Sequence, residues 1–274
     1  MEKKIADTQN GKYPYLTFPA LERTGLVIHA FSTRHGGVSE GPCATMNLSW
    51  KNDSRENVIE NRRRFLKALG LELESLVAGQ QVHGTNVAVV TKSDRGRGSV
   101  SYGEALPATD ALITASSEVT LSAYFADCVP LFFFDPMQRV IGLAHAGWRG
   151  TIGKIGQRTI KTMEKEFGVN PIHCLVGIGP SIGPCCYEVD QQVITSLAKV
   201  FPYWTELVIP QGQGKWRLNL WETNRRQLLD IGVKAENIFC SSLCTSCTSE
   251  LFFSYRAHAK KTGALAAIIA LRGK

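Results

Sequence analysis

The sequence contains no run of 18 uncharged apolar residues, which argues against a membrane-spanning helix. The first residues, Met1–Ile5, are followed by polar residues rather than by the apolar segment of a signal peptide. We therefore expect a cytoplasmic protein with no membrane partner. Thiols stay reduced in that compartment, so we expect that the eight cysteines do not form a disulfide framework.

Two common nucleotide-binding motifs are also missing. The stretch from Gly179 to Pro184 has the form G-x-x-x-G-P, but no Gly-Lys-Ser/Thr follows it, and G-x-G-x-x-G does not occur. These absences exclude a P-loop ATPase and a dinucleotide enzyme with the usual fingerprint. Histidine is scarce as well: six histidines are few for a multicopper oxidase, which needs many imidazole ligands.

Internal repeats and linker segments are absent, so the 274 residues are expected to form a single domain, 1–274, with an N-terminal arm at 1–24. The net charge of +7 favours anionic ligands such as phosphate or nucleotides, although a basic surface without a specific ligand gives the same value. The basic residues are scattered and no nucleic-acid-binding motif occurs, so a nucleic acid partner is not expected.

The stretch from Ala126 to Thr151 dominates the sequence. Its two apolar runs, Val129–Phe134 and Val140–Ala144, are joined by a turn segment that begins with Asp-Pro, which predicts a buried β-hairpin. A hairpin brings its two ends together and would place Cys128 near His145. This pairing suits a zinc site and equally suits a cysteine nucleophile with a histidine base.

Further apolar runs predict strands, and helical periodicity with capping residues predicts helices between them. The order of these elements predicts an α/β (α+β) domain, a single layered α/β/α sandwich with a mixed β-sheet. In the helix predicted over Arg55–Leu69, the run Arg62-Arg63-Arg64 is interpreted as a solvated face. The predicted strands are 26–31, 86–91, 109–114, 119–125, 174–178 and 264–271, and the other predicted helices are 151–167, 190–201 and 218–231.

A second histidine, His83, also lies beside a glycine at the end of a predicted strand. Together with Cys128 and His145 it would give the three protein ligands of a catalytic zinc site. The wide spacing of the three residues is not a zinc-finger signature, so two core histidines and a buried thiol explain the pattern as well. Asp127 and Asp110 lie beside these residues, and either carboxylate could act as a general acid or base. Asp110 could instead be a turn residue.

The pair Cys244-x-x-Cys247 resembles half of a structural zinc site. No second C-x-x-C occurs, and the adjacent pair Cys185-Cys186 is a poor complement because neighbouring cysteines rarely occupy two corners of one tetrahedron. We therefore interpret these four cysteines as unligated thiols.

Several motifs taken together resemble the YfiH/YlmD family, also called laccase-type polyphenol oxidoreductases. The resemblance extends over about residues 25–272, and its most specific parts are A-D-C-x-P at 126–130 and H-A-G-W-R-G at 145–150. The supporting motifs are F-S-T-R-x-G-G at 31–37, N-L at 47–48, Q-x-H at 81–83, G-P at 179–180, Y-E-V at 187–189, C-T at 244–245 and F-S-Y-R at 253–256.

This resemblance implies one zinc ion per chain, held by His83, Cys128 and His145, with copper less expected. It further implies an enzyme that cleaves purine nucleosides with phosphate and deaminates adenosine. Asp127, Cys128 and His145 are the expected catalytic residues. An amidase that uses Cys128 and His145, acting for example on cell-wall precursors, and a laccase-like polyphenol oxidase are the alternatives.

The same motifs suggest the residues that contact substrate. The arginines Arg34, Arg149 and Arg256 can neutralise phosphate, and Asn47 and Gln81 are the further candidates for the nucleoside. One departure from the family pattern is Thr262-Gly263-Ala264, where the family usually has T-G-R, so a basic contact is missing there.

Overall fold

The computed structural model describes residues 1–8 and 11–273, which form two six-stranded sheets and one three-stranded sheet. In spatial order, the first sheet consists of β1 (Glu2–Thr8), β2 (Gly11–Thr17), β3 (Val27–Ser32), β15 (Leu265–Leu271), β7 (Thr120–Phe125) and β4 (Leu76–Ala78). The second consists of β14 (Ile238–Cys240), β10 (Leu175–Ile178), β8 (Val129–Asp135), β9 (Val140–Ala146), β6 (Ala111–Thr114) and β5 (Val87–Val89). The small sheet has the order β11 (Glu188–Asp190), β13 (Lys215–Leu218), β12 (Val208–Gly212).

Both large sheets are mixed. Most neighbouring strands are antiparallel, whereas β4 pairs with β7, β5 with β6 and β10 with β14 in parallel. The α-helices are α1 (Pro19–Glu22), α2 (Arg55–Ala68), α3 (Trp148–Ile152), α4 (Ile155–Phe167), α5 (Gln191–Val200) and α6 (Leu220–Asp230). Short 3₁₀ helices lie at Gly41–Cys43, Leu73–Ser75, Lys92–Asp94, Tyr102–Glu104, Pro171–His173, Trp204–Leu207 and Ala235–Asn237. The predicted mixed α/β class is confirmed.

The number of layers differs from the prediction. The two large sheets pack face to face, and Phe132 and Phe134 of β8 share a core with Phe125 of β7 and Ile269 of β15. Helix α2 covers the outer face of the first sheet, and α4 and α6 cover that of the second. The layers are therefore α/β/β/α, with two central sheets instead of one. A strand buried on both faces shows the same continuous apolar run whether its neighbours are helices or a second sheet, so the sequence did not distinguish the two cases.

The predicted hairpin is confirmed as β8 and β9. Their antiparallel register pairs Pro130 with His145, and all residues of both strands are buried. Asp135 closes the turn, because its carboxylate accepts the backbone N–H groups of Met137 and Gln138. The register therefore places the residue before β8, Cys128, beside the end of β9.

One predicted helix is divided. The pattern over 151–167 favours a continuous helix, but the chain breaks at Gly153 and Lys154, and Lys154 has a left-handed backbone with φ of 62°. Both pieces keep their apolar side toward the second sheet, so the periodicity continues across the break. The break lets the short helix α3 carry Trp148 and Arg149 separately from α4. Gly168 ends α4 in the left-handed conformation, as its sequence position indicates.

The predicted N-terminal arm at 1–24 is part of the fold. Strands β1 and β2 pair with each other, and β2 also pairs with β3, so this segment extends the first sheet. Throughout the described residues, no helix is both long enough and apolar enough to cross a bilayer.

Arg62 corrects the interpretation of the arginine run in α2. Its side chain is 1% exposed, whereas Arg63 is exposed. Its guanidinium lies between the rings of Trp50 and Tyr124, at 4.2 and 4.4 Å from their centres. It also donates hydrogen bonds to the backbone carbonyls of Leu48, Gly98 and Ser99. Burial lowers the pKa of Arg62 from its usual value.

Replacement of Arg62 by methionine is therefore expected to lower the free energy of unfolding by about 3 kcal/mol or more, because three carbonyls lose their buried donor. The measurement is the urea midpoint by circular dichroism. Arg63→Met is the matched control on the same helix, and its free energy of unfolding should stay within about 0.5 kcal/mol of the parent. Equal midpoints for the two variants would contradict the structural role of Arg62.

Candidate active site

Three predicted ligands, His83, Cys128 and His145, come together at one end of the hairpin. His145 lies within β9, Cys128 immediately precedes β8, and His83 lies in the loop that follows β4, with a left-handed backbone of φ 61°. One nitrogen from each histidine and the thiol sulfur all lie within 4.8 Å of one another. A soft thiolate and two imidazoles form a donor set that suits zinc, and the arrangement leaves room for a further ligand.

Asp110 holds two of these ligands in place. Its carboxylate lies 2.9 Å from Nδ1 of His145, so the Nε2 atom of that ring is left to face the thiol or to bind a metal. The same carboxylate accepts the backbone N–H groups of Val82, His83 and Gly84 at 3.1, 3.0 and 2.8 Å. Burial alone would raise the pKa of Asp110, but the His145 ring and these amides outweigh it and hold the pKa below its usual range.

The thiol and imidazole also act on each other's charge. Burial would raise the pKa of Cys128, but the neighbouring His145, with a smaller contribution from His83, lowers it to about 6. Burial would likewise lower the pKa of His145, yet Cys128 and Asp110 raise it to about 9. Without a metal, the pair therefore favours a thiolate beside an imidazolium near neutral pH.

Gly147 allows the three ligands to approach one another. A Cβ atom at this position would lie 2.9 Å from the sulfur of Cys128 and 2.9 Å from the His83 ring. Any side chain there would displace one of the two ligands, so the glycine of the H-A-G-W-R-G motif is required by this close approach.

The ligand group opens into a cavity of about 850 Å³, which is large enough for a drug-sized molecule. The cavity wall is rich in aromatic and basic side chains. The aromatic residues are Trp50, Tyr102, Tyr124, Trp148, Tyr187 and Tyr255, and the basic ones are Lys51, Arg149, Arg256 and Lys260. Flat apolar rings and cations together suit a ligand with an aromatic base and an anionic group.

Three of the predicted substrate contacts line this cavity: Gln81, Arg149 and Arg256. Gln81 is fixed by two hydrogen bonds between its amide and the backbone of Tyr124. Arg256 donates to the carbonyl groups of Cys186 and Glu188. The guanidinium of Arg149 is exposed and lies 4.3 Å from the centre of the Trp148 ring.

Arg34 and Asn47, the two other predicted substrate contacts, are not among the residues that line this cavity, and their role in substrate binding stays a prediction. Arg34 donates to the carbonyls of Ala44 and Ser249, and burial lowers its pKa. Asn47 is fully buried and accepts the backbone N–H of Ala264, which itself lines the cavity. Both side chains stabilise loops around the site. A motif identifies such residues as important but does not separate a ligand contact from a loop support.

Asp127 lies in the cavity wall beside Cys128. One carboxylate oxygen accepts the hydroxyl of Thr245 and the other accepts the backbone N–H of Arg256, each at 2.7 Å. Asp127 therefore joins the ligand group to the segment that carries Arg256. Its backbone is left-handed, with φ of 88°.

Sequence reasoning missed most of the cavity wall. Trp148 and Tyr187 lie inside the H-A-G-W-R-G and Y-E-V motifs, so their place in these motifs could have identified them as residues of the cavity wall. Lys51 and Lys260 carry no such signal, because exposed lysines occur throughout the sequence and only the fold brings these two to the cavity.

A second group of thiols lies outside this ligand set. The sulfurs of Cys185, Cys186, Cys244 and Cys247 all lie within 4.8 Å of one another. The sequence interpretation was that these four thiols bind no metal; the structure adds that the turn at 183–187 directs both adjacent cysteines toward Cys247.

Comparison with known proteins supports the motif-based resemblance. Residues 28–272 match the family model described as "Multi-copper polyphenol oxidoreductase laccase". The chain is 42% identical over 249 residues to "Purine nucleoside phosphorylase YlmD" of Geobacillus stearothermophilus, covering 89% of this chain and 90% of the relative. It is 32% identical over 232 residues to "Adenosine deaminase RL5" from an unknown prokaryotic organism, covering 84% and 88%.

A solved structure shows the same fold. The crystal structure of YlmD from Geobacillus stearothermophilus superposes with a TM-score of 0.91 at 39% identity, covering 98% of this chain and all of that one. The match to the family model covers the whole second sheet and the first sheet from β3 onward, and it includes all three residues of the ligand group. The chain therefore belongs to the YfiH/YlmD family of laccase-type polyphenol oxidoreductase domains.

Proposed function

We propose that this protein is a zinc-dependent purine nucleoside enzyme that cleaves adenosine, inosine and methylthioadenosine-type nucleosides with phosphate and also deaminates adenosine. The observation that carries the proposal is a single cavity that joins a cysteine–histidine ligand group to aromatic walls and four cationic side chains. Relatives named as purine nucleoside phosphorylases and as an adenosine deaminase support the same chemistry.

Each part of the substrate has a matching part of the cavity. A purine base can stack on the tyrosine and tryptophan rings of the wall, which bind flat ligands with little loss of entropy. Phosphate is held by arginine through paired hydrogen bonds. Arg149 and Arg256 are both exposed in this wall, and because Arg256 already donates to the carbonyls of Cys186 and Glu188, Arg149 is the candidate for phosphate. Phosphorolysis joins a phosphate oxygen to C1′ and breaks the bond to the base, so the departing purine needs a proton. The attacking phosphate can supply that proton, and Asp127 is the candidate that carries it to the base.

The ligand group fits zinc by its donor chemistry and by the support that Asp110 gives to His145 and the His83 loop. When bound there, zinc would supply a Lewis acid for an anionic oxygen or for a deaminating water. Among the protein groups, Asp110 fixes the tautomer of His145, Gly147 keeps space between Cys128 and His83, and Arg256 links the ligand group to the cavity wall.

Arg149→Met is expected to raise the KM for phosphate by about tenfold or more, because a charge-assisted pair of hydrogen bonds is lost. The KM for the nucleoside should change much less. The measurement is initial rates over a phosphate series at saturating inosine. Arg158→Met, an exposed arginine on α4 outside the cavity, is the control. An unchanged phosphate KM in Arg149→Met would remove this arginine from the phosphate site.

A second candidate function treats Cys128 as a catalytic nucleophile and not as a metal ligand. Cys128, His145 and Asp110 are arranged as a nucleophile, a base and an orienting carboxylate, as in a cysteine hydrolase. The Cys128 sulfur lies within 4.8 Å of a His145 nitrogen, and Asp110 lies 2.9 Å from Nδ1 of that ring. That reading predicts an amidase. A laccase function has less support: the six histidines of the chain cannot supply a multicopper centre in addition to this site.

The state of Cys128 separates the two candidates. In metal-free protein its pKa of about 6 leaves the thiolate dominant at pH 7, so iodoacetamide should alkylate it rapidly, with a rate that falls as the pH drops below 6. Zinc should suppress that alkylation by at least about tenfold, since the thiolate is then a ligand. The rates are followed by peptide mass spectrometry. If added zinc leaves Cys128 fully reactive, the site is a nucleophile and not a metal centre.

Activity itself is tested with purified, zinc-loaded protein. Adenosine, inosine and methylthioadenosine are incubated with and without phosphate, and free base, ribose phosphate and ammonia are measured. We expect that the release of free base requires phosphate, and that adenosine is the one substrate of the three that yields ammonia. If neither free base nor ammonia forms under any of these conditions, the proposed function is wrong.

A further inference from the structure

A group of four cysteines, the thiol cluster, lies where two loops meet beside the cavity. Cys185 and Cys186 belong to the loop that follows β10, and Cys244 and Cys247 belong to the turn that follows β14. The sulfurs of Cys185 and Cys186 each lie 3.4 Å from that of Cys247. The four residues are thus brought together by the tertiary fold and not only by sequence proximity.

The spacing fits one metal ion. Zinc–sulfur bonds of about 2.3 Å in a tetrahedron place the sulfurs about 3.8 Å apart. All four sulfurs here lie within 4.8 Å of one another, so small side-chain rotations reach that arrangement. An iron–sulfur cluster needs a wider set of thiolates, because iron and sulfide atoms lie between the cysteines. Four thiolates at this spacing suit a single tetrahedral ion, and zinc is the ion that structural sites of this type hold.

Hydrogen-bond donors with positive charge or dipole lie next to the cluster. The backbone N–H of Gly183 donates to the sulfur of Cys244 at 3.2 Å. Two arginines, Arg217 and Arg256, lie against the same loop and donate to the carbonyls of Cys185 and Cys186. Four thiolates around a divalent ion carry a net charge of −2, and this amide and the two guanidinium groups offset part of that charge.

We propose that Cys185, Cys186, Cys244 and Cys247 bind one structural zinc ion, separate from the ligand group at His83, Cys128 and His145. All four positions of this site are filled by protein, as in structural zinc sites. Cys185 and Cys247 are exposed, so the ion can enter from solvent.

The bound ion would join two loops that shape the cavity. The loop at 183–187 carries Tyr187, and its Cys186 carbonyl accepts Arg256 at 3.1 Å. The other loop carries Thr245, which donates to Asp127 at 2.7 Å. The zinc would therefore fix the relative position of two parts of the cavity wall without contacting the substrate.

The first test is zinc per chain, measured by mass spectrometry on protein purified under reducing conditions. Cys247→Ser should lose one zinc equivalent relative to the parent, and Cys185→Ser should lose the same equivalent. Cys240→Ser is the matched control, because Cys240 is an exposed cysteine outside both ligand groups, and it should keep full zinc. The difference between variants does not depend on whether the candidate active site is loaded or active.

The second test uses Co²⁺ as a probe in Cys128→Ala protein, where the other ligand group lacks its thiolate. Four thiolates should give the strong visible bands of tetrahedral cobalt and the near-ultraviolet sulfur-to-cobalt bands, and Cys247→Ser should weaken both. Circular dichroism shows whether each variant is folded, and the exposed position of Cys185 makes its serine variant the less disruptive one. Equal zinc in the parent and both serine variants, or a disulfide among these cysteines in the reduced preparation, would overturn the proposal.

Discussion

Alanine at His83, Cys128 or His145 is expected to remove one equivalent of metal from the candidate active site and to abolish nucleoside turnover together with it. Three protein ligands are the minimum for holding zinc with an open position, and two ligands bind it weakly. Loss of an outer-shell partner alone costs about 10–100-fold, so loss of a direct ligand should lower turnover by more than about 100-fold. Zinc content and adenosine turnover are measured on the same preparations.

The fold should survive these substitutions. His83 is exposed, and the cores on both faces of the second sheet do not depend on the metal. Far-ultraviolet circular dichroism checks this, with Cys240→Ala as the control that should keep both metal and activity. If the Cys128→Ala variant keeps all its metal and its turnover, the ligand group has been assigned to the wrong residues.

The ligand group was predictable because it rests on local rules. Two apolar runs joined by Asp-Pro fix a hairpin, and the hairpin register decides that Cys128 and His145 share one end. His83 required more, since it lies in a loop that only Asp110 ties to this end of the sheet. The Q-x-H motif supplied that link through family resemblance, not through spacing.

The arrangement of the layers was harder to predict. Successive residues of β8 point alternately toward the helices and toward the other sheet, so both faces of the strand are apolar. The sequence pattern therefore does not show whether a helix or a second sheet covers a given face. The same limit applies to charged side chains. Arg62 and Arg63 are neighbours of one type, yet one is buried between two rings and the other is exposed. Only tertiary packing distinguishes them.

The candidate substrate contacts were also predictable only in part. Motifs identified Gln81, Arg149 and Arg256 as candidates, and these line the cavity. The same motifs suggested Arg34, whose guanidinium donates to the backbone carbonyls of Ala44 and Ser249. An arginine that orders a loop and an arginine that binds phosphate use the same donors, so the residue type alone does not separate these roles.

Asp110 was predictable as a carboxylate near the site but not as its organiser. The carboxylate accepts three successive backbone amides and lies against His145, so one side chain fixes the loop of His83 and the orientation of His145. Asparagine at this position would keep the shape but replace one acceptor oxygen with an N–H₂ donor. In one orientation that donor would face the amides of Val82 and Gly84, and in the other it would face the amide of His83 and Nδ1 of His145.

Asp110→Asn is therefore expected to weaken zinc binding by about 10–100-fold, the range for lost outer-shell partners. Stability should fall by about 2 kcal/mol as well, since a buried donor is left without an acceptor. Competition with a chromophoric chelator measures the first effect and urea unfolding the second. Asp230→Asn makes the same chemical change at an exposed position and should alter neither. A parent-like zinc affinity in Asp110→Asn would show that the ligand group holds its geometry without this carboxylate, and the assignment of Asp110 as a positioning residue would then be wrong.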